Sequence, residues 1–122
     1  MRKPPTPTWI DDIPIYRQLM DMLVARILDQ VYLEEKMLPS VRQLAQDCDV
    51  NPLTVAKAYK ELARDGFTDK FRGEGLMLRK GVREILLRRE KSRFMKEEWP
   101  ALRTRLKRLG IEPRTLVETF DD

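Results

Sequence analysis

Chemistry in this chain has to come from a short menu of side chains. The sequence has no histidine and a single cysteine, Cys48. The commonest general base and the commonest metal ligand are therefore missing, and so are paired thiolates. Serine–histidine and cysteine–histidine nucleophiles go with them, and the carboxylates read as helix-surface and turn material. No enzymatic activity, metal or cofactor is expected. What remains between Leu38 and Leu78 is a close-set group of cationic and hydrogen-bonding side chains: Arg42, Asn51, Thr54, Lys57, Lys60 and Arg72. Such groups bind a partner, by neutralising charge and pairing with polar edges, and break no bonds.

Two helices and a ribbon must hold them. Ser40 with Gln43 three residues on forms a capping-box pattern, which predicts a helix over Val41–Asp47 with Val41, Leu44 and Ala45 inward. Asp49 falls in a turn. Asn51 as cap and Pro52 at the first helical position start a further helix, which runs to Arg64 and stops at Gly66, a residue suited to a left-handed end. Phe67–Arg72 and Leu76–Arg79 then read as two strands joined by Gly73-Glu74-Gly75. Upstream, Ile15, Leu19, Leu23 and Ile27 recur at helical spacing from Pro14 to about Val31, with Asp11 or Asp12 placed to cap the start. A loop follows, with a short strand near Met37-Leu38. Residues 1–12, through Pro4-Pro5-Thr6-Pro7, read as an extended, frayed arm. The expected fold is mainly α with a small β-hairpin: a winged helix-turn-helix over residues 13–79, followed by a C-terminal helical dimerisation segment over 82–122.

That last segment carries apolar residues in a three-four repeat, through Ile85, Met95, Trp99, Leu102, Leu106 and Leu109. Pro100 lies inside it, so the helix either kinks there or stops and restarts. Gly110 ends it, and Pro113 begins a last short helix with Leu116, Val117 and Phe120. The stripe can fold back as extra core or meet the same stripe of a second copy. The second option, a homodimer, is favoured because an amphipathic helix must hide its apolar face. Net charge is +4, yet its distribution is uneven. Residues 1–78 hold 11 basic and 12 acidic side chains, and residues 79–109 hold 12 and 4. The excess therefore sits behind the motif, and charge alone does not argue for a polyanion partner. No apolar run approaches the ~18 residues of a membrane span, and the N-terminus lacks a secretory signal's apolar stretch. With one cysteine, this predicts a cytoplasmic protein with no membrane partner.

The motifs resemble the GntR family of bacterial transcription regulators. Ile15-Tyr16-Arg17-Gln18, Leu38-Pro39-Ser40-Val41-Arg42 and Asn51-Pro52-Leu53-Thr54-Val55 carry the likeness, together with Arg72-Gly73-Glu74-Gly75. With a helical segment behind the wing and no large effector domain, the chain is most similar to the YtrA-type subfamily. The resemblance implies that Arg42 contacts a backbone phosphate, and that Asn51, Leu53, Thr54 and Lys57 face a major groove. Lys60 occupies a motif position beside them, and Arg72 and Gly73 belong to a wing that approaches the minor groove. Three positions depart from the family: Asp49 where glycine is usual, Leu53 where a polar residue is common, and Glu74 at a wing tip that usually carries a base. At Leu53 the most on offer is contact with a thymine methyl. The function implied is a homodimeric repressor that binds double-stranded DNA at an inverted-repeat operator, ABC transporter operons being common targets. An unidentified small-molecule effector could lodge at the dimer interface, near Trp99 or Tyr16; control by dimer geometry alone, with no effector, is equally open. The alternative is a winged-helix protein-interaction adaptor that binds no DNA, which Glu74 and the near-neutral charge of residues 1–78 favour.

Overall fold

Helix α1 (Ile15–Leu28) forms on the spacing that buries Leu19, Leu23, Val24 and Ile27 along one face. Its start differs from the sequence expectation. Neither Asp11 nor Asp12 caps it; Pro14 is the residue before the first turn, at φ −53°, and no side chain bonds there. The proline ring already holds the helical entry angle, and its carbonyl accepts from the N–H groups of Arg17 and Gln18 at 3.0 and 3.2 Å. The helix also ends three residues before Val31. Gln30 turns left-handed at φ 61°, and the N–H groups of Val31 and Tyr32 both return to the Arg26 carbonyl. This computed structural model describes residues 3–71 and 75–121.

Helices α2 (Val41–Cys48) and α3 (Pro52–Arg64) pack with α1 around one core. Leu44, Ala45 and Cys48 come from α2, and Val55, Ala58, Tyr59 and Leu62 from α3. Val41 is only half-buried at its edge. Strands β1 (Thr68–Lys70) and β2 (Leu76–Leu78) pair antiparallel, with Thr68 opposite Leu78 and Lys70 opposite Leu76. Residues 35–38 run along the free edge of β2: Met37 bridges Met77, and the Leu38 N–H donates to the Leu76 carbonyl at 2.9 Å. The short strand expected near Met37 is thus a single bridge against a two-stranded wing, not a strand of its own. Both main strands are shorter than the sequence suggests. The turn at Gly73-Glu74 lies outside the described residues.

Residues 3–10 run without regular structure into a turn at 11–13 and are pinned along their length, which corrects the expectation of a frayed arm. The Trp9 indole N–H donates to the Cys48 carbonyl at 2.9 Å, and its ring packs on the core. The Gln18 side chain bonds both the N–H and the carbonyl of Ile10, and Lys3 pairs with Asp47 at 2.6 Å. An indole that can bury its body and satisfy its donor outweighs the entropy that would otherwise free the segment.

Helix α4 (Val82–Arg93) begins inside the same core, through Val82 and Leu86. A reciprocal clamp fixes its start. Glu34 Oε2 accepts from the Arg83 backbone N–H at 2.9 Å, and Arg83 Nε donates to the Leu28 carbonyl at the end of α1, also at 2.9 Å. The first compact unit accordingly reaches Leu86, beyond the wing boundary at residue 79.

The second unit begins at Leu87. The remainder of α4 leads into a π-helical turn (Phe94–Glu98), then α5 (Trp99–Leu109) and α6 (Pro113–Glu118). Pro100 sits in the first turn of α5, where the α-helix restarts without an intervening loop. Its ring has no N–H and would press on the carbonyl four residues back, and the wider turn just before it gives that room. Gly110 closes α5 in left-handed conformation, φ 69°. Leu106 is the one buried hydrophobic side chain of this unit among the described residues. No helix among the described residues is long and apolar enough to cross a membrane.

Candidate nucleic-acid interface

The candidate interface is built on two helix starts. At α2, Ser40 Oγ accepts from the Gln43 N–H at 3.0 Å, but the return half of the capping box is absent: the Gln43 amide donates to Asp47 Oδ1 at 2.8 Å instead. At the other end Asp49 is left-handed, φ 54° and ψ 53°, a conformation that aspartate tolerates better than most residues but less well than glycine. This brings Asn51 directly to the start of α3. Asn51 Oδ1 accepts from the Leu53 N–H at 2.8 Å, and the Thr54 N–H turns back to the Asn51 carbonyl at 2.9 Å. Pro52 has no N–H to offer. The amides of Leu53 and Thr54 are therefore occupied within the chain, and side chains must carry any contact at this tip.

Burial on one side of α3 dictates exposure on the other. Val55, Ala58, Tyr59 and Leu62 point inward; Asn51, Pro52, Leu53, Ala56, Lys57 and Lys60 are exposed, Leu53 at 78%. Thr54 is half-buried. The Tyr59 hydroxyl donates to the Pro39 carbonyl at 2.6 Å, which locks α3 against the segment leading into α2. Burial pushes the Tyr59 phenol well above its ordinary range, so this donor keeps its proton.

Between α3, the start of α2 and the hairpin runs an open groove of about 770 Å³. Val41, Ala56, Tyr59 and Leu76 give it apolar walls, and Lys57, Lys60 and Lys70 also line it. Ammonium groups along an apolar trough suit a strand that is anionic outside and apolar within. Of the sequence-predicted residues, the structure gathers Leu53, Lys57 and Lys60 on this groove, with Asn51 and Thr54 at the adjoining helix start. Arg42 is exposed in the first turn of α2. Arg72 and Gly73 lie outside the described residues. Two features of this face, one in the groove and one beside it, were not singled out from sequence. Lys70 reaches the groove because it ends β1 opposite Leu76, a pairing that the strand register decides. Tyr16 holds the Lys57 ammonium 4.3 Å from its ring centre, a cation–π contact between α1 and α3 that no local pattern announces.

A helix with an exposed leading edge, braced by a shorter helix through a tight turn and backed by a paired hairpin, defines a winged helix-turn-helix protein. The model of the gntR family of bacterial regulatory proteins matches residues 15–78, and the chain belongs to that family. Over 105 residues it is 34% identical to the HTH-type transcriptional repressor YtrA of Bacillus subtilis (strain 168), covering 86% of this chain and 80% of that one. Among solved structures, a GntR family transcriptional regulator from Listeria monocytogenes aligns with a TM-score of 0.70 at 26% identity, covering 93% of this chain and 97% of the other. YtrA from Sulfolobus acidocaldarius, a GntR-family transcription factor, aligns at 0.53 and 32% identity, covering 70% and 89%. All three relatives are transcription regulators by name.

Proposed function

We propose that the protein is a homodimeric, sequence-specific repressor in which α3 of each copy enters a major groove. The outward edge of α3 carries this reading: Asn51, Leu53, Lys57 and Lys60 are exposed beside a groove that the hairpin closes. Arg42 meets a backbone phosphate, Thr54 adds a hydroxyl to the groove contact, and the wing follows the neighbouring minor groove through Arg72 and Gly73. A second copy covers Met95, Leu102 and Leu109, whose exposure supports the dimer. Two-fold symmetry then calls for an inverted-repeat operator with half-sites about 10 bp apart. The likeness to YtrA-type regulators suggests an operon encoding an ABC transporter as the target.

Selection of bound duplexes from a random pool, followed by salt titration, tests this. An inverted repeat should emerge. Arg42→Ala should weaken every sequence alike and lower the slope of log affinity against log salt by about one. Thr54→Ala or Lys57→Ala should instead relax base preference, by about 1–3 kcal/mol at one position of each half-site. A protein with no salt-sensitive duplex binding is the adaptor, the reading that the near-neutral charge of residues 1–78 favours.

A further inference from the structure

We propose that Leu53 is a specificity-determining residue that selects a thymine by its methyl group. The inference rests on the DNA-binding reading above and concerns what the tip of α3 can recognise. Leu53 is 78% exposed, on a helix whose other large hydrophobic residues are buried or turned to the core. Its own N–H is taken by Asn51 Oδ1, the Thr54 N–H by the Asn51 carbonyl, and Pro52 has none. The tip therefore lacks the free backbone donors that a helix start commonly presents to an anion. What it presents instead is an apolar cluster, Pro52 and Leu53 with Ala56 one turn on, all exposed. The cations lie farther along: Lys57 is held over Tyr16, and Lys60 stands one turn beyond Ala56.

Chemistry at the major-groove edge then narrows the choice. Guanine, adenine and cytosine show hydrogen-bonding groups and bare C–H edges there but no methyl, while thymine carries a methyl at C5. A donor or acceptor pressed against Leu53 gives up water and gains no partner, which is unfavourable. A methyl against the same side chain loses nothing and removes two apolar surfaces from water. Leu53 thus favours thymine by attraction and disfavours the other bases by desolvation.

The test uses the full-length protein and the duplex recovered from the random pool. Each thymine is replaced in turn by deoxyuridine, which lacks only the methyl. At one position in each half-site this should weaken binding about fourfold, the value of one buried methyl group. With Leu53→Ala the thymine and uracil duplexes should bind alike at that position. Circular dichroism should match the parent protein, since the residue is exposed. Equal affinity for thymine and uracil at every position overturns the proposal, as does a thymine preference that persists undiminished in Leu53→Ala. Absence of salt-sensitive binding to any duplex overturns the DNA-binding reading itself, and the salt titration separates that outcome from the other two.

Discussion

Between Leu19 and Leu86 the first unit closes its apolar residues around a shared core drawn from four helices and the wing, whereas beyond Leu87 only Leu106 is comparably buried among the described hydrophobic residues. Phe120 and Val117 stand 86% and 71% exposed in the second unit, and Leu109 is 55% exposed. Both stretches form helices, so helix formation by itself does not separate them. What separates them is the number of directions from which neighbours arrive. The winged unit is surrounded by its own elements; the C-terminal helices leave most of their apolar surface uncovered, as interaction surfaces do.

The largest effect should come from removing the second unit. A chain ending at Arg93 keeps all of α4, and it should unfold cooperatively, run as a monomer by light scattering and lose about 100-fold or more in operator affinity, because two linked half-site contacts become one. A truncated chain that still dimerises would break the contrast between the units. A smaller pair of changes sharpens it. Leu23→Ala, in the core of the winged unit, should cost about 2–5 kcal/mol in chemical denaturation at any protein concentration. Leu102→Ala should leave a dilute sample unchanged and lower the melting temperature only where the parent protein is dimeric. Equal losses on dilution would place Leu102 in an intramolecular core instead.

The smallest effect concerns the clamp that ends the winged unit. Backbone N–H groups of Gly81 and Arg83 hold Glu34 below the usual glutamate range. Folding depresses this pKa, so the stabilisation is complete above the unfolded carboxylate's titration and fades as pH falls through the folded one. Glu34→Gln should therefore melt slightly below the parent protein near neutral pH, and the gap should close as pH falls through the folded carboxylate's titration. A melting gap that stays constant across that range would remove the clamp from the account.

Where the sequence was legible, a short-range signal decided the outcome. The Ser40 cap, Asn51 followed by Pro52, and the left-handed Gly66 and Gly110 are each settled by residues a few positions apart. The winged fold and the outward edge of α3 follow from them. What sequence reading missed depends on residues far apart. Trp9 finds the Cys48 carbonyl across 39 positions, and the clamp joins Arg83 to Leu28 across 55. The boundary moved from residue 79 to Leu86 because Val82 and Leu86 share one helix face and the core has space for both. At Pro100 the restart that the sequence left open is what the structure has, α5 beginning at Trp99 with the proline in its first turn. The widened turn before it is a backbone adjustment that no residue type encodes by itself.

The Lys57–Tyr16 contact has a consequence for how quickly and how selectively this face can engage a partner. A lysine on an open helix normally samples many rotamers and gives up that freedom on docking. Here an aromatic ring has already steered the ammonium towards one side of the helix. The charge meets an incoming duplex partly ordered, and less motion remains to be frozen when the two surfaces close.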